Sequence, residues 1–300
     1  MQIIYGINKV KKYKKAVVAL GVFDGLHCGH RNILQSAVSK AHQIKGKAIV
    51  FTFFPHPQKK ESLYSLEHRL KLIAELGIDV CIVVNFSRNF AKINAEDFIK
   101  RILIGKIGAS FVYVGKNFRF GKNARGDYKL LQRGAKKYNF KLKCFNVIKS
   151  KGLAISSTVI RKLIKNSEIK KAEKLLGRRV SVLGSVIKGS RLARVLGFPT
   201  ANINPHHEVI PPPGIYAVRI IFLNKKYKGI CYIGRRPTIN TGGNSIHVEV
   251  HIFDFHKNIY GKILEIQFVK LIRPDQKFAS IRDLSNQVQK DIISCRKLLK

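Results

Sequence analysis

The feature that most constrains this sequence is an alternation, between residues 16 and 150, of short apolar runs rich in Val and Ile with longer stretches of helical spacing. Continuous apolar runs are typical of strands that are buried on both faces. Strands separated by helices form parallel sheets, because the chain must cross back over the sheet between them. The pattern predicts an α/β domain whose ligands bind beyond the carboxyl ends of the strands. The predicted strands are 16–23, 48–53, 80–86, 111–115 and 142–148.

The helical stretches follow the same order. Apolar residues at helical spacing predict helices over 33–44 and 66–76. A third helix is expected to begin at the cap residue Asn94, with Asp97 three positions later, and to stop at Gly105.

After residue 178 the apolar runs follow one another with Gly, Pro and Asn turns and with no helix between them. This pattern predicts a small antiparallel barrel or sandwich. Ser280, with Asp283 three positions later, predicts the cap of a terminal helix. We therefore expect two domains, 1–178 and 179–300, with a helical connector over 158–176 just before the boundary. The predicted strands of the second domain are 181–187, 215–221, 228–233, 246–253 and 264–271.

The charge is strongly positive, with 57 Lys and Arg against 17 Asp and Glu in 300 residues, a net +40. These basic residues are spread along the chain, whereas nucleic-acid-binding proteins usually concentrate them in a patch or arm. We therefore expect a solvated basic surface and no specific nucleic-acid partner. No apolar run reaches the roughly 18 residues of a membrane span. Five scattered cysteines are typical of a reducing cytoplasm. We expect a cytoplasmic monomer or weak oligomer without a membrane segment.

The first predicted strand runs into the string Gly21-Val-Phe-Asp-Gly-Leu-His-Cys-Gly-His30, and a helix follows. Gly21, Gly25 and Gly29 permit tight turns and close backbone approach, and the N–H groups at the start of a helix attract phosphate. His27 and His30 can donate hydrogen bonds to a phosphoryl centre under attack. The alternatives are a surface turn with incidental histidines, or a metal site. A metal-binding pair on a helix more often has a spacing of four.

This string resembles the nucleotidyltransferase signature, and in its fuller form the adenylyltransferase domain of the bacterial bifunctional riboflavin kinase/FAD synthetase family. The strings at 52–57, 114–121 and 156–161 agree with the same family in order. The resemblance implies a Rossmann-like nucleotidyltransferase domain in which His27 and His30 act in catalysis. It places Asn117, Phe118 and Arg119 near the flavin, and leaves Asp127 as a further polar candidate near the nucleotide or metal. It assigns ATP binding to Gly21, Phe23, Asp24, Gly25, Gly29, Ser156, Ser157, Thr158 and Arg161.

The strings at 184–189 and 194–202 resemble the riboflavin kinase module of the same family. The resemblance implies that Thr200 and Asn202 hold the Mg²⁺ of Mg-ATP, and hydroxyl and amide oxygens suit that ion. It assigns phosphate binding to Gly189, Arg194 and Gly197. Without the resemblance, the segment would be interpreted as a turn shaped by Pro199.

Glu249 lies in an alternating strand otherwise composed of Val, Ile, His and Phe. Its position beside the matched strings makes it the candidate general base for the 5′-hydroxyl of riboflavin. The alternative is an exposed strand carboxylate paired with a Lys. The string around Arg273 resembles the family's flap beside the flavin, which makes Arg273 a candidate flavin contact.

The resemblance implies that the chain phosphorylates riboflavin to FMN and adenylylates FMN to FAD and pyrophosphate, with ATP, Mg²⁺ and flavins as substrates and products. Three positions depart from the family pattern: Phe54 replaces an acidic residue, Ser190 a polar one and Ala193 a glycine. Phe54 and Ala193 leave open a nucleotidyltransferase with another acceptor and a degenerate barrel. A nucleic-acid-binding protein on a borrowed fold would be supported only by the charge.

Overall fold

The computed structural model describes residues 1–57, 61–150, 152–189, 197–237 and 244–300. It divides into two compact units. The first unit comprises Met1–Ser62 and Leu66–Ser157, and the second comprises Leu63–Ser65 and Thr158–Lys300.

The first unit is built on a parallel sheet, as predicted. Its strands lie in the order β1-β4-β3-β2-β5-β6. All five residues of β2 are buried, in line with a strand covered on both faces. The first strand, β1, was not predicted, since only Ile4 of its four residues is buried. The strands are β1 (Gln2–Tyr5), β2 (Ala16–Leu20), β3 (Lys47–Phe54), β4 (Val80–Asn85), β5 (Ala109–Gly115) and β6 (Lys141–Phe145).

The helices of this unit are α1 (Cys28–Gln43), α2 (Leu66–Ala74), α3 (Arg88–Ala91), α4 (Ala95–Asp97) and α5 (Tyr128–Tyr138). Helix α4 continues as a π-helix over Phe98–Ile107. The predicted stop at Gly105 was wrong, because buried apolar residues continue to Ile107 and the helix ends at Gly108, whose φ is 74°. A short hairpin, β7 (Lys149–Ser150) and β8 (Leu153–Ala154), precedes the second unit.

The second unit is a closed antiparallel barrel with strand order β10-β13-β12-β11-β14-β9. Helix α8 (Ile281–Leu298) begins where predicted, since the Ser280 hydroxyl accepts a hydrogen bond from the Asp283 backbone N–H. The predicted connector is two helices, α6 (Ser157–Lys165) and α7 (Ile169–Leu176), separated by Ser167 at φ 59°. The strands are β9 (Ser181–Ile187), β10 (Ala201–Asn204), β11 (Gly214–Phe222), β12 (Lys225–Pro237), β13 (Asn244–Ile252) and β14 (Ile263–Pro274).

Three residues from an earlier part of the chain, Leu63–Ser65, complete this second unit. The Ser65 backbone N–H donates to Glu208 Oε1 at 2.9 Å, and the Leu183 N–H donates to Oε2 at 3.0 Å. The Arg178 guanidinium lies 4.9 Å from the centre of the Tyr64 ring, and burial raises the pKa of the Tyr64 phenol. The buried Glu208 carboxylate thus joins the short segment to β9.

Candidate functional site

The loop after β2 lies where the strand order of the parallel sheet reverses. From β2 the chain adds β3 and then β4 on one side of the sheet, and it then returns to add β5 and β6 on the other side of β2. In open α/β sheets such a switch point is the usual ligand crevice. The predicted phosphate string is this loop, and the predicted flavin string follows β5. The topology therefore places both strings at one edge of the sheet.

The conformation of the loop depends on its glycines. Gly25 has φ 78°, which an L side chain adopts only with strain. A Cβ at Gly21 would lie 2.9 Å from the ring of Phe23, which is itself buried with φ 54°. Phe23 and Asp24 are both buried, so their side chains stabilise the loop. The groups of this loop that suit a phosphate are its backbone N–H groups and the two histidines.

His27 and His30 form a stacked pair at the start of α1. Their ring centres are 3.7 Å apart at an interplanar angle of 19°. His27 is the N-cap residue, and its Nδ1 accepts the His30 backbone N–H at 3.4 Å. In a neutral ring that accepts at Nδ1, the proton is on Nε2. A Cβ at Gly29 would lie 3.2 Å from the His27 ring, so this glycine leaves room for the imidazole.

Two side chains that sequence reasoning missed hold this loop against β3. The Val22 carbonyl accepts the Thr52 hydroxyl at 2.9 Å and Arg69 NH1 at 2.8 Å. Arg69 NH2 donates to the Phe53 carbonyl at 2.9 Å. Burial lowers the pKa of Arg69, and the charge of the buried Asp24 opposes that change. An Arg in an amphipathic helix carries no sequence signal for this function.

Ser157 begins α6, and its hydroxyl donates to the Asp24 carbonyl at 2.8 Å. Within the first unit, Ser157 of the predicted second phosphate segment is therefore joined directly to the loop after β2. Ser156 precedes this contact, and Thr158 and Arg161 follow it in the same helix. The hydroxyls and N–H groups at such a helix start suit an anion.

The predicted flavin segment leaves the end of β5 with Asn117 and Arg119 exposed. Phe118 stacks on Phe120 with ring centres 5.8 Å apart, so part of its surface is used by the core. Asp127 is the N-cap of α5, where its Oδ1 accepts the Leu130 N–H at 2.9 Å. That hydrogen bond lowers the pKa of Asp127, and Arg119 pairs with Oδ2 at 3.3 Å.

In the barrel, the candidate base and the candidate metal ligands meet on neighbouring strands. Asn202 of β10 lies directly opposite Glu249 of β13 in the strand register. The Thr200 hydroxyl donates to Glu249 Oε2 at 2.8 Å. Glu249 therefore pairs with the string that contains Thr200 and Asn202. Its other described hydrogen bond is to His247.

The surroundings of Asn202 fit a hard cation. Asn202 is buried, and its Oδ1 has no hydrogen-bond partner among the described residues. A Cβ at Gly189 would lie 2.0 Å from Asn202 Nδ2, so only glycine leaves space for this amide. An orphaned buried amide oxygen beside a hydroxyl and a carboxylate is a donor set that Mg²⁺ accepts. Gly197, at φ 85°, is the turn residue before this string, while Arg194, Ser190 and Ala193 lie outside the described residues.

A cavity of about 500 Å³ opens beside this string, a volume suited to a small-molecule ligand. Thr200 is in its wall, and its rim includes His256 and Tyr260. The His251 Nδ1 lies 2.8 Å from the Pro199 carbonyl and holds the string from the side of β13. The remaining lining residues are Val186, Pro199, Ala201, Val250, Ile252, Phe255, Lys257, Asn258 and Ile259.

Arg273, the candidate flavin contact, is held by the terminal helix. Its Nε lies 3.0 Å from Asp291 Oδ2 and its NH2 2.9 Å from the same oxygen. Its NH1 donates to the Pro274 carbonyl at 3.1 Å, and the guanidinium lies 5.5 Å from the centre of the Phe278 ring. Most of its polar surface is therefore used within the protein.

Two further features bear on the alternatives. Within the described part of the chain, no group of three or more His, Cys, Asp or Glu side chains is arranged to hold a metal ion, so His27 and His30 do not belong to such a cluster. No helix among the described residues is both long and apolar enough to cross a membrane.

Comparison with known proteins matches both parts of the chain to enzyme families. The FAD synthetase family model matches residues 9–159, and the riboflavin kinase family model matches residues 176–299. A bifunctional riboflavin kinase/FMN adenylyltransferase from Buchnera aphidicola subsp. Schizaphis graminum is 36% identical, with 97% of each chain covered. The protein of the same name from Escherichia coli K12 is 34% identical, with 99% of this chain and 97% of the relative covered.

A solved structure, described as a macrolide-efflux protein from Streptococcus pneumoniae, has a TM-score of 0.86 and 26% identity, with 99% of each chain covered. The likeness in fold therefore includes both units of the present chain. The two family models and the full-length relatives together decide the assignment: the chain belongs to the bifunctional riboflavin kinase/FMN adenylyltransferase family.

Proposed function

We propose that the chain makes FAD from riboflavin in two steps, at the two sites described above. Residues 179–300 form the riboflavin kinase domain, and residues 1–178 the FMN adenylyltransferase domain. Both activities follow the names of relatives that cover nearly the whole chain. The observation that carries the assignment of residues is the contact between the Thr200 hydroxyl and Glu249, opposite the buried Asn202.

In the kinase step, Glu249 accepts the proton of the riboflavin 5′-hydroxyl as that oxygen attacks the γ-phosphate of ATP and ADP leaves. Thr200 holds one oxygen of the carboxylate. Thr200 and Asn202 would hold Mg²⁺, which when bound offsets the charge of the ATP phosphates. Gly189 keeps the Asn202 amide in place, and Arg194 and Gly197 contribute to phosphate binding.

In the adenylyl step, the FMN phosphate attacks the α-phosphate of a second ATP in line, and pyrophosphate leaves. No protein nucleophile is needed, so the chain contributes position and charge stabilisation. His27 and His30 donate to the α-phosphate oxygens, and the N–H groups of the loop after β2 hold the phosphates. Ser156, Ser157, Thr158 and Arg161 hold the rest of the triphosphate, and Asn117, Phe118 and Arg119 contact the flavin.

The names of the relatives favour FMN as the acceptor over the alternative that Phe54 and Ala193 left open. Phe54 is 46% exposed at the end of β3, and Ala193 lies outside the described residues. The adenylyl site is assembled from other residues.

We propose a cytoplasmic monomer or weak oligomer that binds riboflavin, FMN and ATP without a specific nucleic-acid or membrane partner. The five free thiols are consistent with a reducing compartment.

The test separates the two sites within one chain. The protein is incubated with ATP, MgCl₂ and either riboflavin or FMN, and the fluorescent flavins are separated by chromatography. We expect Glu249→Gln to abolish FMN formation and to keep conversion of FMN to FAD, and His30→Ala to do the reverse. Equal loss of both steps in either variant would contradict the separate sites, and a folded wild-type chain without flavin products would overturn the proposal.

A further inference from the structure

His247 lies two residues before Glu249 on β13, so both side chains project from the same face of the strand. The His247 Nε2 is hydrogen-bonded to Glu249 Oε1. The other carboxylate oxygen, Oε2, accepts the Thr200 hydroxyl. The side chains of His247 and Glu249 are 17% and 16% exposed, so both contacts are largely shielded from water.

The chemistry of the base determines the direction of this hydrogen bond. A carboxylate that is ready to take up a proton is ionised and acts only as an acceptor. The His247 Nε2 must therefore carry the hydrogen and donate it. The terminal torsion of a Glu side chain is otherwise broad, without the sharp minima of an aliphatic torsion. With one oxygen held by His247 and the other by Thr200, the carboxylate plane has a single orientation.

We propose that His247 is a positioning residue of the riboflavin kinase reaction, whose Nε2–H orients the Glu249 carboxylate for removal of the substrate proton. This inference rests on the proposed role of Glu249 as the base. Displacement of a reacting group by about 1 Å costs roughly a hundredfold in rate. An orienting hydrogen bond therefore acts on kcat and leaves the binding of riboflavin unchanged.

The test compares His247→Ala, His247→Asn and His247→Gln. These substitutions differ in whether the new side chain has an N–H group and in how far that group extends. The Gln amide nitrogen extends about as far as His Nε2, whereas the Asn amide nitrogen ends near the position of Nδ1. We expect His247→Ala and His247→Asn to lower kcat for FMN formation by roughly tenfold to a hundredfold, with KM for riboflavin within about threefold of wild type. His247→Gln should restore kcat to within about threefold of wild type.

Adenylylation of FMN by the same variants is the internal control, because that reaction uses the other site. Wild-type kcat in His247→Ala, equal rescue by Asn and Gln, or a change confined to KM would overturn the positioning role. Loss of both activities in all three variants would overturn it in favour of a purely structural role. Glu249→Gln separates the two proposals. If Glu249→Gln still forms FMN, the assigned base is wrong. If Glu249→Gln forms none while His247→Ala keeps the wild-type kcat, only the positioning role is wrong.

Discussion

Gly189 matters to the candidate kinase site because glycine has no Cβ. It was predicted as a phosphate contact, and the structure gives it a second task, because its Cα faces the Asn202 amide. Any Cβ there would overlap Nδ2, Cγ and Oδ1 of Asn202, at 2.0, 2.3 and 2.6 Å. The orphaned Asn202 oxygen is thereby held in one place, next to Thr200 and Glu249.

Gly189→Ala should therefore displace the Asn202 amide, lower FMN formation at least tenfold and raise the MgCl₂ concentration needed for half-maximal rate. FMN formation measured against MgCl₂ checks this expectation. Gly105→Ala is the matched control, because its Cβ would make an ordinary 3.4 Å contact with the Lys100 carbonyl oxygen. An unchanged magnesium requirement in Gly189→Ala would contradict the assignment of Asn202 as a ligand.

Arg273 is the second residue whose predicted role the structure makes more specific. Its pair with Asp291 is nearly buried, with side-chain exposures of 16% and 4%. Removing one partner of a buried pair costs about 3–5 kcal/mol. We expect Arg273→Met and Asp291→Asn to lower the free energy of unfolding by amounts of this order, measured by denaturant titration.

The flavin contact predicted for Arg273 is tested by the same pair of variants. If it exists, KM for riboflavin rises in Arg273→Met and stays near wild type in Asp291→Asn. Arg296→Met is the matched control. Arg296 lies on α8, as Asp291 does, and pairs with Asp254. Their side chains are 48% and 77% exposed, so this pair should contribute at most about 1 kcal/mol. An equal rise of KM in both test variants would indicate that Arg273 acts only through the terminal helix.

At the level of elements, sequence patterns were most informative where a segment is uniformly buried or has a side-chain cap. The start of β2 and the cap of α8 agree with the prediction, whereas the predicted end of β2 at residue 23 was three residues too long, because residues 21–23 belong to the loop. The short strands β1 and β10 were missed, because four residues carry too little periodicity to indicate a strand. The continuation of the π-helix past Gly105 to Ile107 was missed, because a glycine in a sequence indicates a helix end unless the burial of the residues after it is known.

The same limit applies to the sites. Glu249, Thr200, Asn202, His27 and His30 were named because they occur in recognisable strings. His247 and Arg69 were not, since their roles depend on which strand or carbonyl lies opposite. A register and a buried helix face are properties of packing between distant segments, and a single sequence contains no local signal for either.

Arg69 connects α2, β3 and the loop after β2, so its removal should affect all three elements. In Arg69→Met the buried Phe53 carbonyl loses the donor that the structure provides. We expect a loss of about 1–3 kcal/mol in the free energy of unfolding and a lower rate of FAD formation from FMN, with FMN formation from riboflavin retained.

The matched control for this prediction is Arg101→Met. Arg101 is 77% exposed and pairs with Asp97 one turn away, so its loss should change stability by less than about 0.5 kcal/mol. Thermal unfolding and the two flavin assays distinguish the outcomes. Equal stability of the two variants would show that the Val22 and Phe53 contacts do not stabilise the loop.

At the level of the whole molecule, buried thiols provide one reporter for each unit. Burial raises the pKa of Cys81, in β4 of the first unit, to about 12, and that of Cys295, in α8 of the second unit, to about 12. A raised thiol pKa keeps the group protonated at every pH below it, so the reactive thiolate is negligible at pH 8.

We expect iodoacetamide at pH 8 to leave Cys81 and Cys295 unmodified in the native protein and to label partly exposed Cys28 first. With increasing denaturant, peptide mass spectrometry should show each buried thiol labelled at the transition of its own unit. Labelling of Cys81 as fast as Cys28 under native conditions would contradict the closed packing around β4.

The position of the Leu63–Ser65 segment in the chain means that the second unit can be completed only long after this segment has been synthesised. Ser65 is separated from its partner Glu208 by 143 residues along the chain. At a synthesis rate of about 5–20 residues per second, the segment leaves the ribosome roughly 7–30 s before the carboxylate that will bind it. During that interval Tyr64, which is 3% exposed in the folded protein, lies beside a Ser65 backbone N–H that still lacks its partner. The nascent chain therefore carries this segment without its carboxylate partner while the rest of the first unit and strands β9 and β10 are synthesised.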